Sequence, residues 1–273
     1  MRDAAGSHYA RPGLGAAILA GLRAAGKDPE APEPDDLAPV DQFHIRGKDA
    51  TLELARVAGL QAGMEVLDVG GGLGGPARTL ARGLGCRVVV LDLTEEYCRV
   101  GEELTRRTGL GDRVSFQHSD ALALPFADGR FDVVWTQHSS MNVDDKERLY
   151  GGIRRVLRPG GRLALHEIMA GAGGPLHFPV PWAREPAWSF LRAPEAVRGL
   201  LGDLGFRELC WLDVTAPSLE WFRRRVAATQ AAASLPPLGL HLLLGEDFGA
   251  MFRNQVRNLA EGRIVVIEAV FER

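Results

Sequence analysis

Val66-Leu67-Asp68-Val69-Gly70-Gly71-Gly72-Leu73-Gly74-Gly75-Pro76 is the stretch whose reading decides the fold. An apolar run rich in β-branched residues collapses into glycines and continues as Ala77-Arg78-Thr79-Leu80-Ala81-Arg82, whose spacing is helical. Strand, glycine turn and helix make the opening of a nucleotide-binding α/β unit. The glycines allow a turn too tight for a Cβ and a backbone that a ligand can approach closely. Two fingerprints fit the same residues. Gly70, Gly72 and Gly75 satisfy G-x-G-x-x-G, the dinucleotide-binding pattern, whereas Gly70, Gly72 and Gly74 behind Asp68 satisfy acidic-x-G-x-G-x-G. The loop alone does not choose between them.

From Met64 onward, strands alternate with helices. The first strand is expected at about 64–69 with its helix at 75–83, and the second is Arg87–Asp92, followed by a helix from Thr94 to about Thr108. Thr94 ahead of Glu95 and Glu96 reads as a hydroxyl cap and acidic first turn suited to exposed amides. Strand three is Arg113–Gln117 and strand four Phe131–Thr136. A helix at about 144–157 ends at Arg158-Pro159-Gly160-Gly161, before strand five, Arg162–Glu167. This rhythm predicts a doubly wound, Rossmann-like α/β sheet, largely parallel and covered on both faces. After strand five the rhythm breaks. Residues 170–193, rich in glycine, proline and aromatics, read as a lid insertion or binding loop. A helix at 194–204, a strand at 206–214, helices near 217–232 and 246–259, and a seventh strand, Arg263–Phe271, complete the chain.

Ahead of the glycine loop, residues 13–26 have helical spacing. Pro29, Pro32, Pro34 and Pro39 then predict an irregular linker. Asp41-Gln42-Phe43-His44-Ile45-Arg46-Gly47 enters a helix of about 48–58 and reads either as a linker touching the core or as a flap over a ligand. The domain division expected is 1–47 as a helical flap and linker, and 48–273 as the main domain.

Composition narrows the classes. With 46% hydrophobic and 25% charged residues, the 273-residue chain resembles ordinary globular proteins. A net charge of −3 and no basic run longer than Arg223-Arg224-Arg225 argue against nucleic-acid or anionic-membrane partners. Cys86, Cys98 and Cys210 lack metal-ligand spacing, so no metal is expected, and an odd count suggests no disulfide framework. Cys86 and Cys210 sit in apolar runs suited to a core. No secretory signal or membrane-spanning run is legible, and a reducing cytoplasm is expected.

Ligands of such sheets bind at the carboxyl ends of the strands. Asp92 ends strand two, 20 residues past Gly72, the distance for a carboxylate accepting from ribose hydroxyls. Asp120-Ala121 leaves strand three, where an acid can accept from an adenine amino group. These motifs, in order, resemble the class I S-adenosylmethionine-dependent methyltransferases. The resemblance is carried by Leu67 to Gly74, Asp92, Asp120-Ala121 with Leu124-Pro125-Phe126, Phe131-Asp132-Val133-Val134, and Val156-Leu157-Arg158-Pro159-Gly160-Gly161-Arg162-Leu163. It implies a seven-stranded sheet whose last strand is antiparallel and inserted between strands five and six. It also implies S-adenosyl-L-methionine as cofactor. Asp68, Gly70, Gly72 and Gly74 would hold its methionine end, Asp92 its ribose, Leu93 and Ala121 the adenine ring, and Asp120 the adenine amino group. Gln137 and His138 would sit near the sulfonium.

Gly75-Pro76-Ala77-Arg78 with Gln42-Phe43-His44 is similar to the branch holding sarcosine and dimethylglycine N-methyltransferases and sterol-type C-methyltransferases. A small-molecule acceptor follows, an amine or amino acid first, with O- or C-methylation of a phenolic, quinone-like, polyketide or terpenoid molecule as the alternative. His138 is the first candidate base, with His166, Glu167 and His44 behind it. Trp182, Trp188, Phe190 and Phe178 could wall the acceptor or form the lid's own core. Arg46, Arg184 and Arg192 are candidates for an acceptor carboxylate. A homodimer is one open arrangement, since the first 45 residues could close over this chain or a neighbour. An NAD-dependent oxidoreductase and a non-catalytic methyltransferase-like protein are the readings outside the class.

Overall fold

The computed structural model describes residues 11–231 and 235–273, with only the backbone described for 226–231. The start of the chain, on which the expectation about a secretory signal rests, lies outside the described residues. Seven strands form one sheet: β1 (Glu65–Val69), β2 (Arg87–Asp92), β3 (Val114–His118), β4 (Phe131–Gln137), β5 (Leu157–Ala170), β6 (Arg207–Asp213) and β7 (Ile264–Glu272). Their order is β3-β2-β1-β4-β5-β7-β6. Neighbours from β3 to β5 run parallel, while β7 runs antiparallel to both β5 and β6. This is the inserted antiparallel strand that the resemblance implies. The order reverses at β1, so the glycine loop opens where parallel α/β sheets bind ligands.

Among the described residues the α-helices are α1 (Leu14–Ala24), α2 (Pro34–Asp41), α3 (Gly47–Val57), α4 (Gly75–Leu84), α5 (Glu95–Arg107), α6 (Lys146–Val156), α7 (Pro194–Asp203), α8 (Thr215–Ala231), α9 (His241–Leu244) and α10 (Phe248–Ala260). One face of the sheet packs Leu67, Val134 and Leu165 against Leu149 and Ile153 of α6 and Leu201 of α7. The other packs Val66, Val88 and Val133 against Leu54 of α3 and Ala77 and Leu80 of α4. Alternate residues of the central strands therefore face opposite layers, and both are buried.

Three local expectations change. The proline-rich stretch is not irregular throughout, because Pro34–Asp41 is a helix. Pro34 starts it, where the missing N–H is harmless, and Glu33 with Asp36 forms a reciprocal capping box. Thr94 makes no side-chain cap bond, and its N–H donates to Asp92 Oδ1 at 2.8 Å. Strand β5 begins at Leu157, paired with Phe131, and the Arg158–Gly161 turn lies within it as an irregularity in the register.

Leu14, Ile18 and Leu22, spaced four apart, form a buried stripe on α1 against Val100 and Leu104 of α5 and Leu37 and Val40 of α2. Each contributes roughly 1.5–3 kcal/mol on burial. Beneath them lies a buried ion pair. Arg78 of α4 donates from Nη2 to Asp41 Oδ2 at 2.7 Å and from Nη1 to Thr105 Oγ1 at 2.7 Å, and Arg78 and Asp41 are essentially inaccessible to solvent. Burial pushes the Asp41 carboxyl up, and the guanidinium pulls it back. The approach is so close that a Cβ on Gly75 would lie 2.4 Å from the Asp41 carbonyl oxygen. The segment leading into residues 41–47 is thus fixed to the helix that follows the glycine loop.

Removing one partner leaves a buried uncompensated charge. Asp41→Ala and Arg78→Ala should each destabilise by about 3–5 kcal/mol in urea unfolding. The double substitution Asp41→Leu with Arg78→Met should cost clearly less than the sum of the two single alanine changes. Additive losses would contradict the pairing.

Candidate functional site

A cleft opens at the carboxyl ends of β1 to β5 and encloses about 1460 Å³ of empty space, its mouth included. Four strand exits build its floor. From β1 come Asp68, Gly70 and Gly72; from β2, Asp92, Leu93 and Thr94; from β3, Asp120 and Ala121; from β4, Gln137, His138 and Ser139. Phe43, His44 and Ile45 of the N-terminal segment line it from above, and Trp182 of the insertion and Trp221 and Phe222 of α8 line it farther along.

The shape of the glycine loop is set by its neighbours. Gly70 takes a left-handed φ of 74°, and a Cβ there would lie 2.4 Å from the Ser139 side chain. The N–H groups of Gly70 and Gly71 donate to the Leu91 carbonyl (2.7 and 3.4 Å), that of Gly74 to Gly71 (2.9 Å), and that of Gly72 to Asp92 Oδ2 (2.9 Å). Asp92 Oδ1 accepts from Thr94 N–H at 2.8 Å. The amides of Gly70, Gly71, Gly72 and Gly74, which a pyrophosphate could otherwise claim, are thereby spent within the protein. Each Asp92 oxygen retains a lone pair for a ligand hydroxyl.

Asp68 is almost completely buried, and its Oδ2 has no hydrogen-bond partner. Burial, and then the Asp92 carboxylate beside it, push its carboxyl up to about 8. Such an orphaned acid suits a cationic group. Gln137 accepts at Oε1 from Trp135 Nε1 (2.9 Å) and Thr51 Oγ1 (3.1 Å), leaving its buried Nε2 unsatisfied as a donor. Asp120 Oδ1 accepts from Leu122 N–H at 2.8 Å, shaping the turn that presents Ala121. Among the described residues, no lysine or arginine lines the cleft, and its carboxylates are Asp41, Asp68, Asp92 and Asp120. These features fit an adenosyl cofactor of net positive charge better than a dinucleotide carrying a pyrophosphate.

His138 also holds a left-handed φ, 50°, a strained conformation for a residue with a side chain. Its Nδ1 accepts a long bond from Ile45 N–H at 3.4 Å, and its buried Nε2 has no partner. Its ring centroid lies 5.0 Å from that of His166 and 6.2 Å from that of His44. Burial pushes all three imidazoles down, His44 to about 4 and the other two well below the ordinary value, so they are neutral at pH 7.

Of the residues singled out from sequence, Asp68, Gly70, Gly72, Asp92, Leu93, Asp120, Ala121, Gln137, His138, His44 and Trp182 line the cleft. Gly74, Arg46, His166 and Arg192 do not. Gly74 precedes the first turn of α4. His166 is wholly buried behind the cleft, its Nδ1 4.0 Å from Glu268 Oε2 across the β5–β7 pair. Arg46 is paired with Glu53, Arg192 bidentately with Glu147 (2.7 and 3.0 Å), and Arg184 with Asp247. Trp188 and Phe178 are not among the lining and pack, partly buried, against an apolar cluster that the insertion shares with β5, β7, α8 and α10. Sequence reasoning missed Tyr97, Trp221, Phe222 and Gln255. Only Tyr97, in the first turn after Asp92, offered a local signal.

The lid is tied to the cleft rim. Asn142 Nδ2 donates to the Trp182 carbonyl at 2.8 Å, and Trp182 Nε1 donates to Ser189 Oγ within the insertion at 2.9 Å. Buried Lys146 donates to the carbonyls of Ser140 (2.7 Å), Phe190 (2.9 Å) and Val143. Among the described residues no helix is long and apolar enough to cross a membrane.

Sheet order, glycine loop and acidic cleft together define a Rossmann-like protein built for an adenosyl cofactor. Residues 67–165 match the family described as a methyltransferase domain. Residues 67–165 are thus the part of the chain that is similar to a methyltransferase domain. It is 31% identical to a sarcosine/dimethylglycine N-methyltransferase from Halorhodospira halochloris, over 66% of this chain and 64% of that protein. It is 44% identical to a sterol 24-C-methyltransferase from Eremothecium gossypii, over 42% of this chain and 31% of the relative. The crystal structure of the [4+2]-cyclase SpnF superposes with a TM-score of 0.69 at 23% identity, over 95% of this chain and 92% of that one. The matches span less than two thirds of the length of these curated relatives.

Two measurements probe the cleft. Asp92→Ala should weaken S-adenosylhomocysteine binding by about 1–3 kcal/mol in calorimetry, through lost charge-assisted hydrogen bonds; unchanged affinity in a folded variant would contradict the assignment. Asp68 should be protonated below pH 8 and release its proton to meet a ligand ammonium. Affinity for S-adenosylhomocysteine should then rise from pH 6 to pH 8, by up to about tenfold per pH unit, and level off above. Asp68→Asn should flatten the profile, and a flat wild-type profile would refute the role.

Proposed function

We propose that the chain transfers a methyl group from S-adenosylmethionine to a small-molecule acceptor, at nitrogen in the first reading. The observation that carries this is the cleft itself: acids and spent loop amides at the exits of β1 to β3, with no lysine or arginine among its described lining. Such a surface attracts a cofactor of net positive charge and offers a pyrophosphate no lysine or arginine among the described residues. When bound, the cofactor supplies an electrophilic methyl group on a sulfonium that leaves without protonation.

The residues then have separable tasks. Asp68 meets the ammonium, Gln137 Nε2 donates to the carboxylate, and Asp92 accepts from the ribose. Ala121 lies against the adenine and Asp120 toward its amino group. Residues 1–47 act as the flap of a domain formed by 48–273, with Phe43, His44 and Ile45 covering the cleft. Apolar walls at Met141, Ile168, Trp182 and Phe222 exclude water, so alignment and desolvation supply much of the rate. His138 is neutral and can take a proton from an acceptor. With Nδ1 accepting from Ile45, its own proton sits on Nε2, so the contact to Ile45 yields when the ring acts as a base at Nδ1, or the ring orients the acceptor by donating from Nε2. Three cysteines free of disulfides suit a reducing cytoplasm.

The test is methyl-labelled cofactor with a panel of small amines, amino acids and phenols, read by mass shift. Label on nitrogen is expected; label on oxygen or carbon would overturn that choice, and failure to label any metabolite would overturn the transfer. With a primary or secondary amine, His138→Gln should lower kcat by about 10²-fold or more, as for loss of proton transfer, with cofactor affinity within twofold. Undiminished turnover would remove His138 from that role.

A further inference from the structure

The acceptor end of the cleft has a composition that restricts what it takes. Ile45, Met141, Ile168, Trp182 and Phe222 line it and belong to one apolar cluster. The arginines that could have met an anion there are turned to other work: Arg46 to Glu53, Arg184 to Asp247 and Arg192 to Glu147. Lys146, the nearest buried ammonium, gives its protons to three backbone carbonyls. The formal charges that do line the cleft are negative. An acceptor carboxylate, sulfonate or phosphate would lose its hydration without gaining a cation among the described residues.

One polar group stands apart. Gln255 on α10 is 4% exposed and lines the cleft, yet it makes no hydrogen bond to a described residue. Its helix contributes Phe252, Val256 and Leu259 to the same apolar cluster. A buried primary amide in such a wall leaves a donor and an acceptor aimed at whatever fills the chamber. Resting on the function proposed above, we infer that the acceptor is a largely apolar molecule without an anionic group, carrying a neutral carbonyl or hydroxyl that Gln255 binds. Acceptors bearing a carboxylate, amino acids included, are disfavoured by the same wall.

The experiment is equilibrium dialysis of the protein loaded with S-adenosylhomocysteine against methyl 2-naphthoate and the 2-naphthoate anion at pH 7.5. The pair differs chiefly in charge at one end. The ester should bind at least tenfold more tightly than the anion. Gln255→Leu should weaken ester binding several-fold while S-adenosylhomocysteine affinity stays within twofold. Anion binding equal to or tighter than the ester would overturn the inference, as would an ester affinity untouched by Gln255→Leu. If the protein does not retain S-adenosylhomocysteine, the function itself falls. Retention with a preference for the anion removes only the acceptor class.

Discussion

The Asp92 carboxylate is the fixed point of this site. It closes β2 and holds the amide of Gly72 across the sheet's reversal point while receiving the amide of Thr94 at the start of α5. That one group sets the curvature of the glycine loop and uses an amide that a phosphate would otherwise claim. Asp68 lies beside it, buried and raised, and two carboxylates so close are tolerable together only when one is protonated or a cation arrives. The choice between the two fingerprints of the loop is therefore made by electrostatics. The glycine count is compatible with either, and the hydrogen bonds and charges around it are not.

A second constraint comes from the N-terminal segment. Arg78 follows the glycine loop and Asp41 precedes Phe43, His44 and Ile45, so their ion pair joins the floor of the cleft to its cover. The close contact of Asp41 with Gly75 explains why the first residue of α4 carries no side chain. Packing of α1 and α2 onto α5 then anchors this cover over an apolar cluster that includes Leu73 of the loop itself.

Much of the fold was legible because parallel strands buried on both faces write themselves as short apolar runs, and the strand exits follow at fixed places. Asp92 and Asp120 could be found that way. The antiparallel place of β7 came from resemblance, since nothing in Ile264 to Phe271 declares its direction. The pairing of Arg78 was hidden because its partner is 37 residues away in the chain. Arg192 looked available for an anion until folding brought Glu147 to it from 45 residues away. The helix at Pro34–Asp41 was missed because four prolines suggested irregularity, although one of them stands where helices accept proline. Trp221, Phe222 and Gln255 were unreadable for a related reason: helical residues reveal which face is apolar, not which cavity that face meets.

Lys146 carries a mechanical consequence. A single ammonium grips carbonyls on the rim at Ser140 and Val143 and on the insertion at Phe190, and Asn142 grips the insertion again at Trp182. The rim is itself held from below, where Glu167 accepts from the amides of Ser139 and Ser140 at 3.3–3.4 Å. Rim and insertion are therefore one clamped body, seated on β5 and adjoining His138. Any displacement of the insertion that widens the chamber pulls on the backbone beside that histidine, so access to the pocket and placement of the imidazole share one degree of freedom.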